Sequence, residues 1–214
     1  MKKIKFEECI CQTDLDGHFR IKKTVLDHIE DIKIVGNDPD QTASDRLEQN
    51  DDYHNHRVSK LDWAVSTDFE RPWVKEFLPY FIDTIGKILP EIGYLGMDMK
   101  QIWFQQYLEG DRHGWHIHGD HYTGVYYLEY PKSAAKTQIC SPFSMKIQDV
   151  EASEGDIIVF PSHWIHRSGV PNGKDRKTIV SFNFSVNGNK LDTKDDPLVS
   201  VPDHLIFPRI LPRR

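Results

Sequence analysis

Four histidines fall within nine residues, His113, His116, His118 and His121 in HGWHIHGDH, and two more, His163 and His166, follow about forty-five residues later beside Pro161-Ser162. Imidazole nitrogens are ligands for redox-active transition metals. Residues two apart on a strand share a face, so His116 and His118, or His118 and Asp120, can grip one ion from one edge. A third ligand must then come from a distant strand folded alongside, and His166 is placed for it.

Holding such a site takes a β-barrel, and the chain supplies strand patterns in its second half. Apolar runs of strand length recur at 101–108, 114–118, 123–129, 144–148, 156–160 and 178–186, separated by Gly, Pro and Asn turns. Before them, 3–12 reads as a strand, Asp16-Gly17 as a turn and 20–32 as an amphipathic helix. Residues 27–52 are acidic and loop-like, and His54 and His56 in that polar stretch read as solvated surface. Pro72 opens a helix to about Leu89 with Trp73, Phe77, Phe81, Ile85 and Leu89 on one stripe, a core face. The tail from Asn187, with four prolines, reads as extended. Short strands after a helical first half predict an α+β fold: a double-stranded β-helix core of the jelly-roll or cupin kind with helices packed outside it.

The 214 residues are read as one domain, with a helical and loop part over 1–95, the β-helix over 96–186 and the tail over 187–214. A net charge of −6 gives no sign of a sequence-independent nucleic-acid binder, which needs a concentrated basic face. The chain has no apolar run long enough for a bilayer, and MKKIKFEEC turns acidic where a signal peptide would turn apolar, so a soluble cytoplasmic protein is expected. Three cysteines, Cys9, Cys11 and Cys140, do not suggest a disulfide framework, and Cys9-x-Cys11 reads as a strand with small thiols.

The local units that carry chemistry are Tyr107-x8-His116-x-His118-Gly-Asp120, Gly155 through Pro161 followed by His166, and Asp175-Arg176-Lys177-Thr178. With Thr123-Gly124-Val125-Tyr126-Tyr127-Leu128 and Ser181-Phe182-Asn183 between and after them, this order resembles the iron(II)- and 2-oxoglutarate-dependent oxygenases. The likeness is to a bacterial and phage branch with an HxH…H motif, and it covers residues 101 to 186. The resemblance implies that His116, His118 and His166 hold Fe(II). It implies that Arg176 pairs with the distal carboxylate of 2-oxoglutarate, helped by Thr178 and Tyr107, with Gln105 and one of Tyr126 and Tyr127 lining the pocket. Phe160, Val180 and Phe182 are expected as apolar walls, and His113, His121 and His163 as loop or rim residues.

Most such oxygenases carry two histidines and one carboxylate, so two ligand registers stay open, His116/His118/His166 and His118/Asp120/His166. The branch favours the first. The implied reaction uses O2 and decarboxylates 2-oxoglutarate to succinate while hydroxylating a substrate the sequence does not name. The alternatives are a three-histidine cupin-type metalloenzyme without 2-oxoglutarate, and a non-enzymatic jelly-roll module with a structural metal. Loops at 36–60, 109–115 and 131–142 carry no recognisable substrate code, and oligomeric state is not legible.

Overall fold

The computed structural model describes residues 9–32, 58–142, 144–170 and 173–189. Among these residues ten strands form two antiparallel sheets. They are β1 (Cys11–Asp14), β2 (Lys60–Leu61), β3 (Tyr94–Tyr107), β4 (His113–His116), β5 (Tyr122–Glu129), β6 (Thr137–Cys140), β7 (Ile147–Asp149), β8 (Asp156–Pro161), β9 (Ile165–Ser168) and β10 (Lys177–Asn189). The major sheet runs β1-β8-β5-β10-β3-β2 and the minor sheet β4-β9-β6-β7. The architecture is the expected double-stranded β-helix core with helices outside. Strand β6 lies within the segment expected to be loop, and β9 carries the distal histidine; neither is long enough to show a period-two pattern by itself. The histidines at 54 and 56, most of the acidic loop, the first eight residues and the tail beyond 189 lie outside the described residues.

Two α-helices among the described residues cover the outer face of the major sheet. Helix α1 (His18–Asp31) starts after Gly17, whose φ of 84° suits a residue without a Cβ, and buries Ile21, Val25 and Ile29 at four-residue intervals. Helix α2 (Pro72–Glu91) begins with proline, whose fixed φ and missing N–H cost nothing in a first turn, and buries Trp73, Phe77, Phe81, Ile85 and Ile88. Its start is pinned from below. Asp62 is 2% exposed and accepts from Trp73 Nε1 and the Phe104 amide, both at 2.9 Å, and pairs with Arg71.

Alternation on the strands divides the core in two. Val180, Phe182 and Phe184 of β10 and Tyr126 of β5 face the helices, where Tyr126 stacks on Phe77 at 5.1 Å. Tyr107, Val125, Tyr127, Ile158, Phe160 and Ile179 form a second cluster. Val180 and Phe182, expected as walls of the pocket, therefore sit on the opposite face of the sheet from it, while Phe160 packs its ring 4.9 Å from that of His166. Gly124 permits the tight centre of the sheet: a Cβ there would stand 2.3 Å from the Phe182 ring and 2.4 Å from the Ile158 carbonyl oxygen.

Candidate metal centre

His116 ends β4, and His166 lies opposite it on β9, the two being direct partners in the antiparallel ladder. His118 follows two residues beyond the end of β4, held by its amide bonding to the Ser162 carbonyl at 3.0 Å, while the Ser162 amide reaches His121 O at 3.1 Å. One ligand atom from each of His116, His118 and His166 lies within 4.8 Å of the other two. The Nε2 atoms of His118 and His166 are 3.3 Å apart. Asp120 is not part of this group, so the carboxylate-containing register is not the one brought together among the described residues.

The rings are oriented as ligands need. His166 Nδ1 lies 2.9 Å from the Trp164 carbonyl and His116 Nδ1 2.7 Å from that of Gly114. A carbonyl only accepts, so both Nδ1 atoms carry the proton and each Nε2 lone pair is left for the centre. Burial, and then each ring's neighbouring imidazole, lowers the pKa of His118 and of His166 to about 3, which keeps them neutral and able to donate electron pairs. Asn183 lies 3.3 Å from His118 Nδ1 through Nδ2, and its buried Oδ1 has no partner. Turning that amide end for end, with Gln101 beside it, gives a His118 Nδ1–H its acceptor and frees Nε2. Three neutral nitrogens suit Fe, Zn, Cu or Ni and contribute no charge to offset a dication.

Below the histidines a chamber lined by Trp103, Gln105, Tyr107, Thr123, Ser168 and Ser181 encloses about 20 Å³, room for one water molecule. His113 also lines it, stacked flat on His116 with centroids 4.0 Å apart and 7° between planes, and with Nδ1 3.0 Å from Gln105 Nε2. Sequence reasoning left His113 at the rim. His121 and His163 are exposed as expected, His121 taking the Val186 N–H at 3.1 Å. Tyr107 is 1% exposed and its hydroxyl lacks a well-formed hydrogen bond; burial pushes its pKa upward, so it stays a neutral donor. Of the tyrosine pair, Tyr127 turns inward and donates to Thr137 Oγ1 at 2.8 Å, while Tyr126 lies under α1 and meets His18 Nδ1 at 2.6 Å.

Arg176 does not reach the chamber. It precedes β10 and makes a two-pronged pair with Glu129, 2.8 Å from Nε and 2.9 Å from Nη2, and also pairs with Glu30. Thr178 lies on the same outer side, donating to Glu129 and accepting from Gln106. The residue buried on the other side of the strand is Lys177. It is 1% exposed, donates to Ala135 O at 2.8 Å and Ser168 Oγ at 2.9 Å, and lies 5.3 Å from the Tyr107 ring centroid. Among the described residues no carboxylate pairs with it, and burial lowers its pKa from 10.5 to about 7. The signal was present in β10: Lys177, Ile179, Ser181 and Asn183 form the mixed polar face and Thr178, Val180, Phe182 and Phe184 the apolar one. The chamber takes Ile179 and Ser181 of the first, and Lys177 lies behind Ser168, a lining residue to which it donates.

No protein-family profile matches the chain, and no curated protein matches it. Solved structures do. AviO1 from Streptomyces viridochromogenes Tue57 is similar with a TM-score of 0.57 at 10% identity, over 85% of this chain and 91% of that one. A Pseudomonas putida prolyl-4-hydroxylase matches with a TM-score of 0.54 at 12% identity, over 83% and 93%. The viral collagen prolyl hydroxylase vCPH from Paramecium Bursaria Chlorella virus-1, determined as a 2OG complex, matches with a TM-score of 0.54 at 12% identity, over 83% and 96%. The chain therefore shares the fold of these two prolyl hydroxylases, and the three-histidine cluster is consistent with an HxH…H metal motif on it. No helix among the described residues is long and apolar enough to cross a membrane.

Proposed function

We propose that the protein is an iron(II)- and 2-oxoglutarate-dependent dioxygenase, acting as a single domain, that hydroxylates a substrate while 2-oxoglutarate is decarboxylated to succinate. The observation that carries this reading is a pairing: three convergent neutral imidazoles at one end of a chamber and, behind its Ser168 wall, a buried lysine amine with no carboxylate beside it among the described residues. Leaving Lys177 unpaired costs several kcal/mol of desolvation, on the order of 5 kcal/mol for a shift of this size. A carboxylate bound there would relieve that cost.

His116, His118 and His166 would hold the metal through Nε2. When bound, iron and the 2-oxo acid supply the O2 chemistry. Lys177 takes the distal carboxylate in the role expected of Arg176, with the Tyr107 hydroxyl as a second donor. Gln105 and Ser181, joined at 3.2 Å, and Thr123 supply the polar wall, and the apolar packing of Phe160 on His166 keeps water from the ligands. The chamber's present size requires a wall side chain to move before a five-carbon dicarboxylate fits.

The test is an anaerobic titration of the metal-free protein with ferrous iron and then 2-oxoglutarate, followed by the visible charge-transfer band. A band that disappears on admitting O2, with succinate formed, supports the reading. Tight metal binding without a band would shift it to a three-histidine enzyme that needs no 2-oxoglutarate, or to a structural metal site.

A further inference from the structure

A second cavity, about 150 Å³, opens at the edge of the minor sheet between the start of β4 and the end of β9, lined by Arg112, His113, Arg167, Ser168 and Val170 among others. His113, Arg167 and Ser168 line the inner chamber as well, so the two spaces share a wall. That wall is irregular. β4 and β9 pair at His113–Ser168 and again at His116–His166, with a register shift between that gives β4 one extra residue, a bulge that opens the ladder.

The outer cavity is electropositive. Arg112 and Arg167 have no ion pair among the described residues. Arg167 is fixed without being neutralised: Nε donates to Gln138 Oε1 at 2.7 Å, and the guanidinium lies 4.4 Å from the Trp115 ring centroid. Of the nearby acids, Asp111 is 2% exposed and accepts from Ser59 and Leu108, and Asp149 is held on the far side of Gln138, whose Nε2 donates to its Oδ1 at 2.7 Å. On the inner side of the wall, Ser168 Oγ is the partner of Lys177 Nζ. Positive groups thus follow one another from solvent, through Arg112 and Arg167, to Lys177, along the seam of the sheet.

From this we infer that the outer cavity is an anion-binding vestibule that captures a small dicarboxylate and passes it to Lys177, with His113 as the wall side chain that moves. The inference rests on the reading of Lys177 as a carboxylate site and names the route to it. Two arginines at a cleft concentrate a dianion before it docks, an effect on association rate of about tenfold or more that salt weakens.

The probe is succinate, titrated into the metal-free protein and read from the indole N–H signal of Trp115, assigned with Trp115→Phe. The wild type is expected to show a saturable shift that Arg112→Gln/Arg167→Gln abolishes and Arg112→Lys/Arg167→Lys retains, since the charge and not the packing is at issue. Stopped-flow mixing of the iron-loaded protein with 2-oxoglutarate, without O2, should show association about tenfold slower in the glutamine variant and less sensitive to salt. No Trp115 shift in the wild type, or one that survives in the glutamine variant, overturns the vestibule. A wild type whose Trp115 responds to succinate but which never forms the band upholds the anion site and overturns the iron/2-oxoglutarate reading instead.

Discussion

Replacing Lys177 by Met keeps nearly the same side-chain volume and removes the buried charge. An unfolded lysine holds its proton to pH 10.5, whereas burial lowers this one to about 7. Between those values the unfolded chain binds the extra proton, so wild-type stability rises with pH across that window, and the penalty is complete below pH 7. At about 1.4 kcal/mol per unit, the wild type should gain roughly 3 kcal/mol between about pH 6 and about pH 9.5 relative to Lys177→Met. The variant loses the bonds to Ala135 O and Ser168 Oγ, about 1 kcal/mol each, which shifts both pH values alike and leaves the difference intact. Denaturant unfolding of the two metal-free proteins at the two pH values measures it. The same ammonium, once paired with a carboxylate, regains its proton, so 2-oxoglutarate binding at about pH 8 should take up nearly one proton, seen by calorimetry in buffers of different ionisation heat. Lys177→Met should show no uptake and bind 2-oxoglutarate about a hundredfold more weakly, on the order of 3 kcal/mol for a charged hydrogen bond. Parallel stability curves for the two proteins, or unchanged affinity, would refute the assignment of Lys177.

Arg176→Ala should leave 2-oxoglutarate affinity within about twofold and lower stability by only about 1 kcal/mol, because its partners Glu129 and Glu30 are partly solvated; this is read by the same titration and by unfolding. His166→Ala should abolish ferrous binding, measured by equilibrium dialysis, since it removes the histidine that β9 contributes to the cluster. Arg71→Ala strands the Asp62 carboxylate in the core and should cost about 3–5 kcal/mol in denaturant unfolding. Gly124→Ala should fail to accumulate as folded protein or lose more than about 3 kcal/mol, since its Cβ meets the Ile158 carbonyl, which cannot step aside; native-like stability would show that the sheet relaxes there.

The residue types and spacing in the sequence were enough to single out the three histidines that converge. His116 and His118 stand two apart, and His166 follows a run, Asp156 to Pro161, that reads as a strand, so local periodicity and chain order pointed to one metal edge and one distal ligand. Helix α2 was legible for a similar reason: its proline start and its apolar stripe are local signals. Tertiary structure decided which side chains share the chamber. Strand alternation says that Arg176 and Thr178 face one way and Lys177 and Ile179 the other, but not which way is inward, and a one-residue choice reverses every assignment on β10. The helices settle that choice by covering Val180, Phe182 and Phe184, which turns Lys177 inward and leaves Arg176 to Glu129. His113 was expected at the rim because it is three residues from His116, out of phase for a regular strand. The bulge between β4 and β9 returns it to the same wall, a displacement set by pairing with a strand some fifty residues away.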